Sequence, residues 1–127
     1  MTSWIDVAQE SNAAAWTCFS AKHFRSCASR SYYAIFAAVI AALHKAGLKP
    51  SQGRETWSHS KLQDLVRNNL EKTIGRGRVK DIRRLINENY RMRLIADYIS
   101  SQTIDDNIAR RCLSNASSVL DLLEKSS

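Results

Sequence analysis

The residues most able to do chemistry are arginines, and they gather in one segment of the chain. Residues 67–93 hold nine basic and three acidic side chains, whereas residues 97–127 hold three basic and five acidic ones. The arginine guanidinium can donate two parallel hydrogen bonds to one phosphate. The segment therefore predicts a nucleic-acid or nucleotide partner. A solvated helix face that serves solubility explains the same charges, and both interpretations stay open here. The basic side chains predicted to contact nucleic acid are Arg30, Arg76, Arg78, Lys80, Arg83, Arg84 and Arg91.

Arg93 differs from the other arginines because it falls on the apolar side of its predicted helix. On a wheel of 100° per residue, Arg93 and Asn89 lie inside an apolar sector. A guanidinium there is costly unless it is paired or opens onto a wet cleft, and Asp97, one turn later, is the natural partner. The pattern predicts either a buried Arg-Asp-Tyr network that fixes helix register or a polar cleft in which Arg93 binds phosphate. The apolar sector consists of Val79, Ile82, Leu85, Ile86, Met92, Ala96 and Ile99.

Two further polar residues extend this hypothesis. Arg30 lies on a helix face of small residues, which permits close helix approach, and is predicted to reach Asp97 or Tyr98 from the neighbouring helix. His59 begins a predicted helix, where free backbone N–H groups favour an anion. The histidines at 23, 44 and 59 and the cysteines at 18, 27 and 112 have no metal-ligand spacing, so no metal or cofactor is expected and the cysteines are interpreted as small core residues.

These side chains must be positioned by a single domain. The chain has 127 residues, a formal charge of +7, 44% hydrophobic residues, four Gly and one Pro, which excludes collagen-like and disordered classes. The longest apolar run, residues 32–43, is shorter than the roughly 20 residues that a bilayer span needs, and predicts a buried helix. The N-terminus has no basic region before an apolar stretch. We therefore expect a cytoplasmic protein with no membrane association.

The hydrophobic pattern predicts an all-α protein, because no segment alternates polar and apolar residues as a half-buried strand does. Ser3 with Asp6, and Thr103 with Asp106, form N-terminal capping signatures. The chain is predicted to fold as an antiparallel up-and-down bundle of about five helices, in one domain over residues 1–127. The predicted helices are 3–23, 24–46, 58–72, 79–99 and 104–125, with residues 75–78 as a glycine-containing linker.

Three short motifs resemble those of the HEPN superfamily, in its group of small stand-alone bacterial proteins. Residues 30–36 read R-S-YYA-I-F, residues 58–59 read S-H, and residues 93–98 read R-L-I-ADY. The order and separation of the first and third motifs match the R-x-YYA-x-F and R-x-x-ADY helices of that group. The similarity covers about residues 15–125 and implies a HEPN-like helical domain.

The resemblance implies a bundle that dimerises, with a polar cleft at the seam of the dimer. Many HEPN members are toxins encoded beside a minimal nucleotidyltransferase, and the active ones are metal-independent ribonucleases. In those enzymes an Arg holds the scissile phosphate, and a His four to six residues later assists proton transfer during attack by the RNA 2′-hydroxyl. Arg93 matches that Arg, but Asp97 and Tyr98 stand where the His is expected.

Three functions follow as hypotheses. The leading one is a homodimeric, toxin-like or nucleic-acid-binding subunit of a toxin-antitoxin or defence module, with RNA as ligand and a nucleotidyltransferase as partner. The second is a metal-independent endoribonuclease, in which an imidazole from His59 or His44 assists Arg93, Asp97 and Tyr98. The third is a non-catalytic docking protein whose Arg93 cleft is only a salt-bridged core. Whether the protein is an enzyme stays open, and the Ala-rich face of the second helix is a candidate dimer surface.

Overall fold

The computed structural model describes residues 3–124 as a bundle of α-helices, with no strand in that range. This confirms the predicted all-α fold. The six helices are α1 (Trp4–Ser20), α2 (Phe24–Lys45), α3 (His59–Asn69), α4 (Glu71–Ile74), α5 (Arg76–Tyr98) and α6 (Asp106–Glu124).

Helix α2 is the central element, and it packs against α1, α3, α5 and α6. The apolar run from residue 32 to 43 is mostly buried there, as predicted. By length and composition, α2 is the one helix among residues 3–124 that could cross a membrane, but 67% of its most apolar 18-residue window is buried inside the bundle. The core helix of a bundle passes the same test, so the composition of α2 is weak evidence for a span.

The predicted linker over residues 75–78 is wrong. Gly75 adopts a φ of +92°, which ends the one-turn helix α4 and caps α5, and helix α5 then begins at Arg76. Gly77 is an ordinary helical residue. A glycine inside a helix costs about 1 kcal/mol relative to alanine, which the packing of a 23-residue helix offsets. The third predicted helix also ends early, at Asn69, and the chain bends at Leu70 before α4.

The helix ends confirm one capping prediction and correct another. Ser3 and Asp6 form a reciprocal capping box at the start of α1, as predicted. At the start of α6, however, the Asp105 carboxylate accepts the backbone N–H of Ile108 at 2.9 Å, so Asp105 takes the role assigned to Thr103 and Asp106. Helix α1 ends at Ser20, three residues before the predicted end, and Lys22 has a φ of +65° in the turn to α2. The predicted end of the last helix, Lys125, lies outside the described residues.

Helices α5 and α6 are joined by a buried amide pair. Asn89 is fully buried, donates to the carbonyl of Cys112 at 3.0 Å and accepts from Asn115 at 2.9 Å. This explains why a polar residue occupies the apolar face of α5. Cys27 and Cys112 are core residues as predicted, and burial raises the pKa of their thiols to about 11 and about 12. Cys18 is only half-buried.

Candidate functional site

Arg93 lies on the face of α5 that packs against α2, with 17% of its side chain exposed. Its Nε donates to the Asp97 carboxylate at 3.0 Å, which confirms the predicted pairing along the helix. Its Nη2 donates to the Tyr33 hydroxyl of α2 at 2.8 Å. The Ser29 hydroxyl donates to the same Asp97 oxygen at 3.2 Å, so α2 orients both members of the ion pair.

Two tyrosine rings flank the Arg93 guanidinium. Its central carbon lies 5.4 Å from the centre of the Tyr33 ring and 5.3 Å from that of Tyr98, within the range of cation–π contact. Nη2 also lies 3.4 Å from the Tyr98 hydroxyl, and Tyr98 is 69% exposed. We call Ser29, Arg30, Tyr33, Arg93, Asp97 and Tyr98 the Arg93 cluster.

The predicted contact of Arg30 with Asp97 is wrong. The Arg30 guanidinium lies 5.2 Å from the Tyr33 ring and makes no ion pair with Asp97 among the described residues. Ser29, one residue earlier on α2, points toward α5 and takes the place beside Asp97. Arg30 is exposed and adds a second positive charge at the Tyr33 ring.

Arg93 remains positively charged, and one nitrogen of its guanidinium makes no hydrogen bond with the described residues. Burial acts to lower its pKa, but Tyr33, Tyr98 and Asp97 outweigh that effect and raise the pKa above its ordinary value. The hydrogen bonds of Arg93 within residues 3–124 use Nε and Nη2. Nη1 makes no hydrogen bond with the described residues.

His59 belongs to a neighbouring cluster of rings. Its Nδ1 and the Tyr32 hydroxyl share a hydrogen bond of 3.1 Å, and its ring stacks on Tyr90 with centres 3.7 Å apart. Burial lowers the pKa of His59, opposed in part by Asn87, so the imidazole is neutral at neutral pH. Tyr90 precedes Arg93 by three residues on α5. Tyr90, on which the imidazole stacks, therefore lies about one helical turn before Arg93 on α5.

The second candidate imidazole, His44, lies elsewhere. It is exposed in the last turn of α2, edge-on to Trp57 with ring centres 5.6 Å apart. Eleven residues separate it from Tyr33 on the same helix, which is about 16 Å along the axis. Helix geometry thus places His59, and not His44, beside the Arg93 cluster.

The profile of the HEPN domain family matches residues 1–126 of the chain. The chain belongs to the HEPN family. Comparisons with curated proteins and with solved structures give no match. Membership confirms the resemblance to the HEPN superfamily, whose helical members are often toxins or ribonucleases.

The first and third motifs of the sequence, residues 30–36 and 93–98, come together at the site. Tyr33, of the first motif, accepts a hydrogen bond from Arg93, of the third, and Asp97 receives one from Ser29 just before the first. The S-H motif provides Ser58, which caps α3, and His59, which stacks on Tyr90. Asp97 and Tyr98 follow Arg93 by four and five residues, where the resemblance leads one to expect a His.

The remaining predicted basic residues of this HEPN protein lie outside the Arg93 cluster. Arg83 donates to the side-chain oxygen of Gln63 at 3.3 Å. Arg76 lies 3.4 Å from Glu71, and Arg84 lies 3.9 Å from Asp81. Lys80 and Arg91 are exposed, and Arg78 is half-buried.

One functional contributor was missed from the sequence, namely Arg25 of α2. Its guanidinium donates to the carbonyls of Ile95 at 2.8 Å, Ala96 at 3.0 Å and Gln102 at 2.7 Å, and also to that of Ile99. It thereby closes the C-terminal end of α5, which carries Asp97 and Tyr98. The only signal in the sequence is indirect, because the last turn of α5 has no basic residue of its own to bind these carbonyls.

No metal site accompanies the cluster in the described part of the chain. Within residues 3–124, no group of three or more His, Cys, Asp or Glu side chains is placed to hold an ion. Two grooves of about 730 and 430 Å³ lie elsewhere, one between α5 and α6 and one beside the loop after α2. Neither groove includes Arg93.

Proposed function

We propose that this HEPN protein binds RNA at the Arg93 cluster, as the toxin-like or nucleic-acid-binding subunit of a toxin-antitoxin or defence module. The observation that carries the proposal is a charged, oriented guanidinium with one donor nitrogen left for an anion, placed beside an exposed tyrosine ring. Phosphate oxygens are the acceptors that such a guanidinium binds best.

The cluster has the parts of a site for a single nucleotide of an unpaired strand. Arg93 and Arg30 supply positive charge for a phosphate, and the Tyr98 ring offers a face on which a base stacks. Asp97 and Ser29 hold Arg93 in place and do not touch the ligand. Stacking on the Tyr98 ring does not depend on base identity, so weak sequence preference is expected.

The binding partners that we propose rest on the family resemblance and on which apolar residues are exposed at the surface. A nucleotidyltransferase-type protein is the proposed partner, in the cytoplasm, and the protein itself is proposed to be a homodimer. Ala37 and Ala38, on the Ala-rich face of α2, are covered by α1 and α6 within one chain, so we propose a different dimer surface. Ile99, exposed at the end of α5, is the better candidate.

The test is RNA binding by the purified protein and by Arg93→Ala in EDTA. We expect wild type to retard total RNA and tRNA in native gels, with an affinity that falls as salt rises, and Arg93→Ala to lose about tenfold or more. Lys49→Ala, which removes an exposed charge on the loop after α2, is the control and should bind like wild type. Equal binding by wild type and Arg93→Ala would refute the site.

A second candidate function is metal-independent endoribonuclease activity. It is favoured by His59, a neutral imidazole that stacks on Tyr90, one helical turn before Arg93 on α5, and that is proposed to accept a proton from a 2′-hydroxyl. Denaturing gels of RNA incubated in EDTA test it. Cleavage that disappears in both Arg93→Ala and His59→Gln would support this function, and intact RNA would leave a binding subunit. Intact RNA without any binding would favour the docking-protein hypothesis.

A further inference from the structure

A row of side chains runs along the exposed face of α5 and ends at the Arg93 cluster. Positions 80, 84, 87, 91, 94 and 98 are spaced alternately by four and three residues, so they share one face of the helix. At 1.5 Å per residue the row is about 27 Å long. Its members are exposed except Leu94, which is half-buried: Lys80, Arg84, Asn87, Arg91, Leu94 and Tyr98.

The row carries positive charge with little compensation. Its only ion pair among the described residues joins Arg84 to Asp81, at 3.9 Å between half-exposed side chains, and such a pair contributes little. Glu88 is turned away, toward Arg111 of α6. On the other side of the row, Arg76 and Arg83 add further positive charge, with Arg76 paired to Glu71.

The end of the row connects it to the Arg93 cluster. Tyr98 is both the last member of the row and the ring that lies 5.3 Å from the Arg93 guanidinium. If one nucleotide of an RNA strand stacks on Tyr98, the strand can therefore continue along α5 toward Lys80, past the cations of the row. The opposite face of Arg93 is closed by α2, through Tyr33.

We infer that this α5 row binds the phosphates of the RNA strand that flanks the nucleotide held at the Arg93 cluster. The inference rests on the proposed function and adds the path and the minimum length of the ligand. An extended single strand suits a straight row of about 27 Å, since successive phosphates can face successive helical turns. A second copy of the chain does not suit it, because a symmetric contact through this face would oppose like charges.

Two charge-matched triple variants test the inference on the full chain. K80Q/R84Q/R91Q removes the three cations of the row. K45Q/K49Q/R54Q removes three exposed cations near the end of α2, where Lys49 and Arg54 border a groove shared with Trp4 of α1. Binding of oligouridylates of about 4 and about 16 nucleotides is measured by fluorescence anisotropy from about 50 to 200 mM salt. Thermal melts establish that both variants are folded.

We expect the row variant to lose about tenfold or more in affinity for the longer strand. Its slope of log affinity against log salt should fall by about two, near 0.7 for each lost phosphate contact on a single strand. The short strand, held at the Arg93 cluster, should lose less than about threefold. The control variant should match wild type with both strands.

The outcomes separate this inference from the function on which it rests. If RNA binding depends on Arg93 but both triple variants bind like wild type, then the α5 row does not bind RNA, whereas binding at the Arg93 cluster still stands. An equal loss of RNA affinity in both triple variants would mean that binding depends only on the net charge of the protein. This result would also contradict binding along the α5 row. No RNA binding by wild type would overturn the proposed function and the row together, and would direct attention to an acidic protein surface as ligand.

Discussion

At the scale of single residues, the Arg93–Asp97 pair is the feature on which orientation of the site depends. Replacing Asp97 by Asn removes the negative charge beside a guanidinium that is only 17% exposed. Breaking a fully buried pair costs about 3–5 kcal/mol, but 31% of the Asp97 side chain is exposed, so we expect about 1–2 kcal/mol of lost stability. Urea denaturation of Asp97→Asn and wild type measures this difference.

The matched control for Asp97→Asn is Asp64→Asn. Asp64 pairs with Arg67 at 3.3 Å along α3, and both side chains are about half exposed. An exposed pair contributes about 0–1 kcal/mol, so this variant should unfold close to wild type. If RNA binding also falls in Asp97→Asn, the pair orients the ligand site. Lost stability with intact RNA binding would instead mark a salt-bridged core.

His59 makes the stability of the protein depend on pH. Burial lowers its pKa in the folded state below the value of about 6.5 in the unfolded chain. As the pH falls below about 6.5, the unfolded chain takes up a proton that the folded one resists, so stability falls until the folded pKa is reached. Above about pH 7 this contribution to the pH dependence vanishes.

The variant His59→Gln tests this linkage. Its free energy of unfolding should change less between about pH 7.5 and 5 than that of wild type, because the titrating ring is gone. His44→Gln removes an exposed histidine from the same protein and should keep the wild-type dependence. Chemical denaturation at several pH values measures both. The same slope in all three proteins would contradict the role of His59.

At the scale of elements, Arg25 holds the end of α5 in place from α2. Arg25→Ala leaves four carbonyls without their shared donor, at residues 95, 96, 99 and 102. Hydrogen bonds from a charged donor contribute about 1.5–3 kcal/mol, and because these are partly exposed we expect a total loss of about 2–3 kcal/mol. Fraying should begin at Asp97 and Tyr98, with weaker RNA binding as a result.

Hydrogen exchange distinguishes this effect from general loss of stability. In Arg25→Ala, the amides of Ile95 and Ile99 should exchange faster by a larger factor than those of Ile82 and Ile86 in the middle of α5. Arg25→Lys should restore little, because an ammonium lacks the planar fork that reaches several carbonyls at once. Uniform acceleration along α5 would argue against a local role.

Helix positions followed from the sequence more closely than helix ends did. Periodicity identified α2, α5 and α6 because their apolar faces persist over many turns. The start of α5 was mistaken because two glycines look alike in sequence, although only Gly75 has a positive φ. Asp105 rather than Thr103 caps α6 for a similar reason, since adjacent polar residues compete for one N–H and backbone geometry selects among them.

The candidate site was predictable where its contacts are local. The Arg93–Asp97 pair follows from a spacing of four on one helix, and the wheel placed Arg93 on the packed face. Contacts between helices were not predictable in detail, because a rotation of one residue along α2 exchanges Arg30 for Ser29 beside Asp97. Arg25 was missed for the same reason, since its acceptors lie about 70 residues away in the chain.

At the scale of the whole molecule, the exposed apolar surface beside the site predicts self-association. Tyr98 and Ile99 are exposed by 69% and 38% at the C-terminal end of α5. A symmetric dimer through Ile99 would bring two Arg93 clusters to one seam and leave the Tyr98 rings at its rim, open to a base, while the α5 row runs away from it. In the proposed homodimer, the two Arg93 side chains, each proposed to bind a phosphate, would face one RNA strand.

Ile99→Asp tests this dimer without touching the Arg93 cluster. A carboxylate in an apolar seam is costly, so sedimentation equilibrium should show a dimer for wild type and a dissociation constant raised by about tenfold or more for Ile99→Asp. Ile5→Asp is the matched control, because Ile5 is 44% exposed on α1 and far from α5 in the order of helix packing. A monomeric wild type, or equal dissociation in both variants, would contradict a dimer through the end of α5. Since Arg93 and Tyr98 are unchanged in Ile99→Asp, its affinity for a short oligonucleotide should stay near that of wild type while binding to longer RNA, which spans both clusters, weakens.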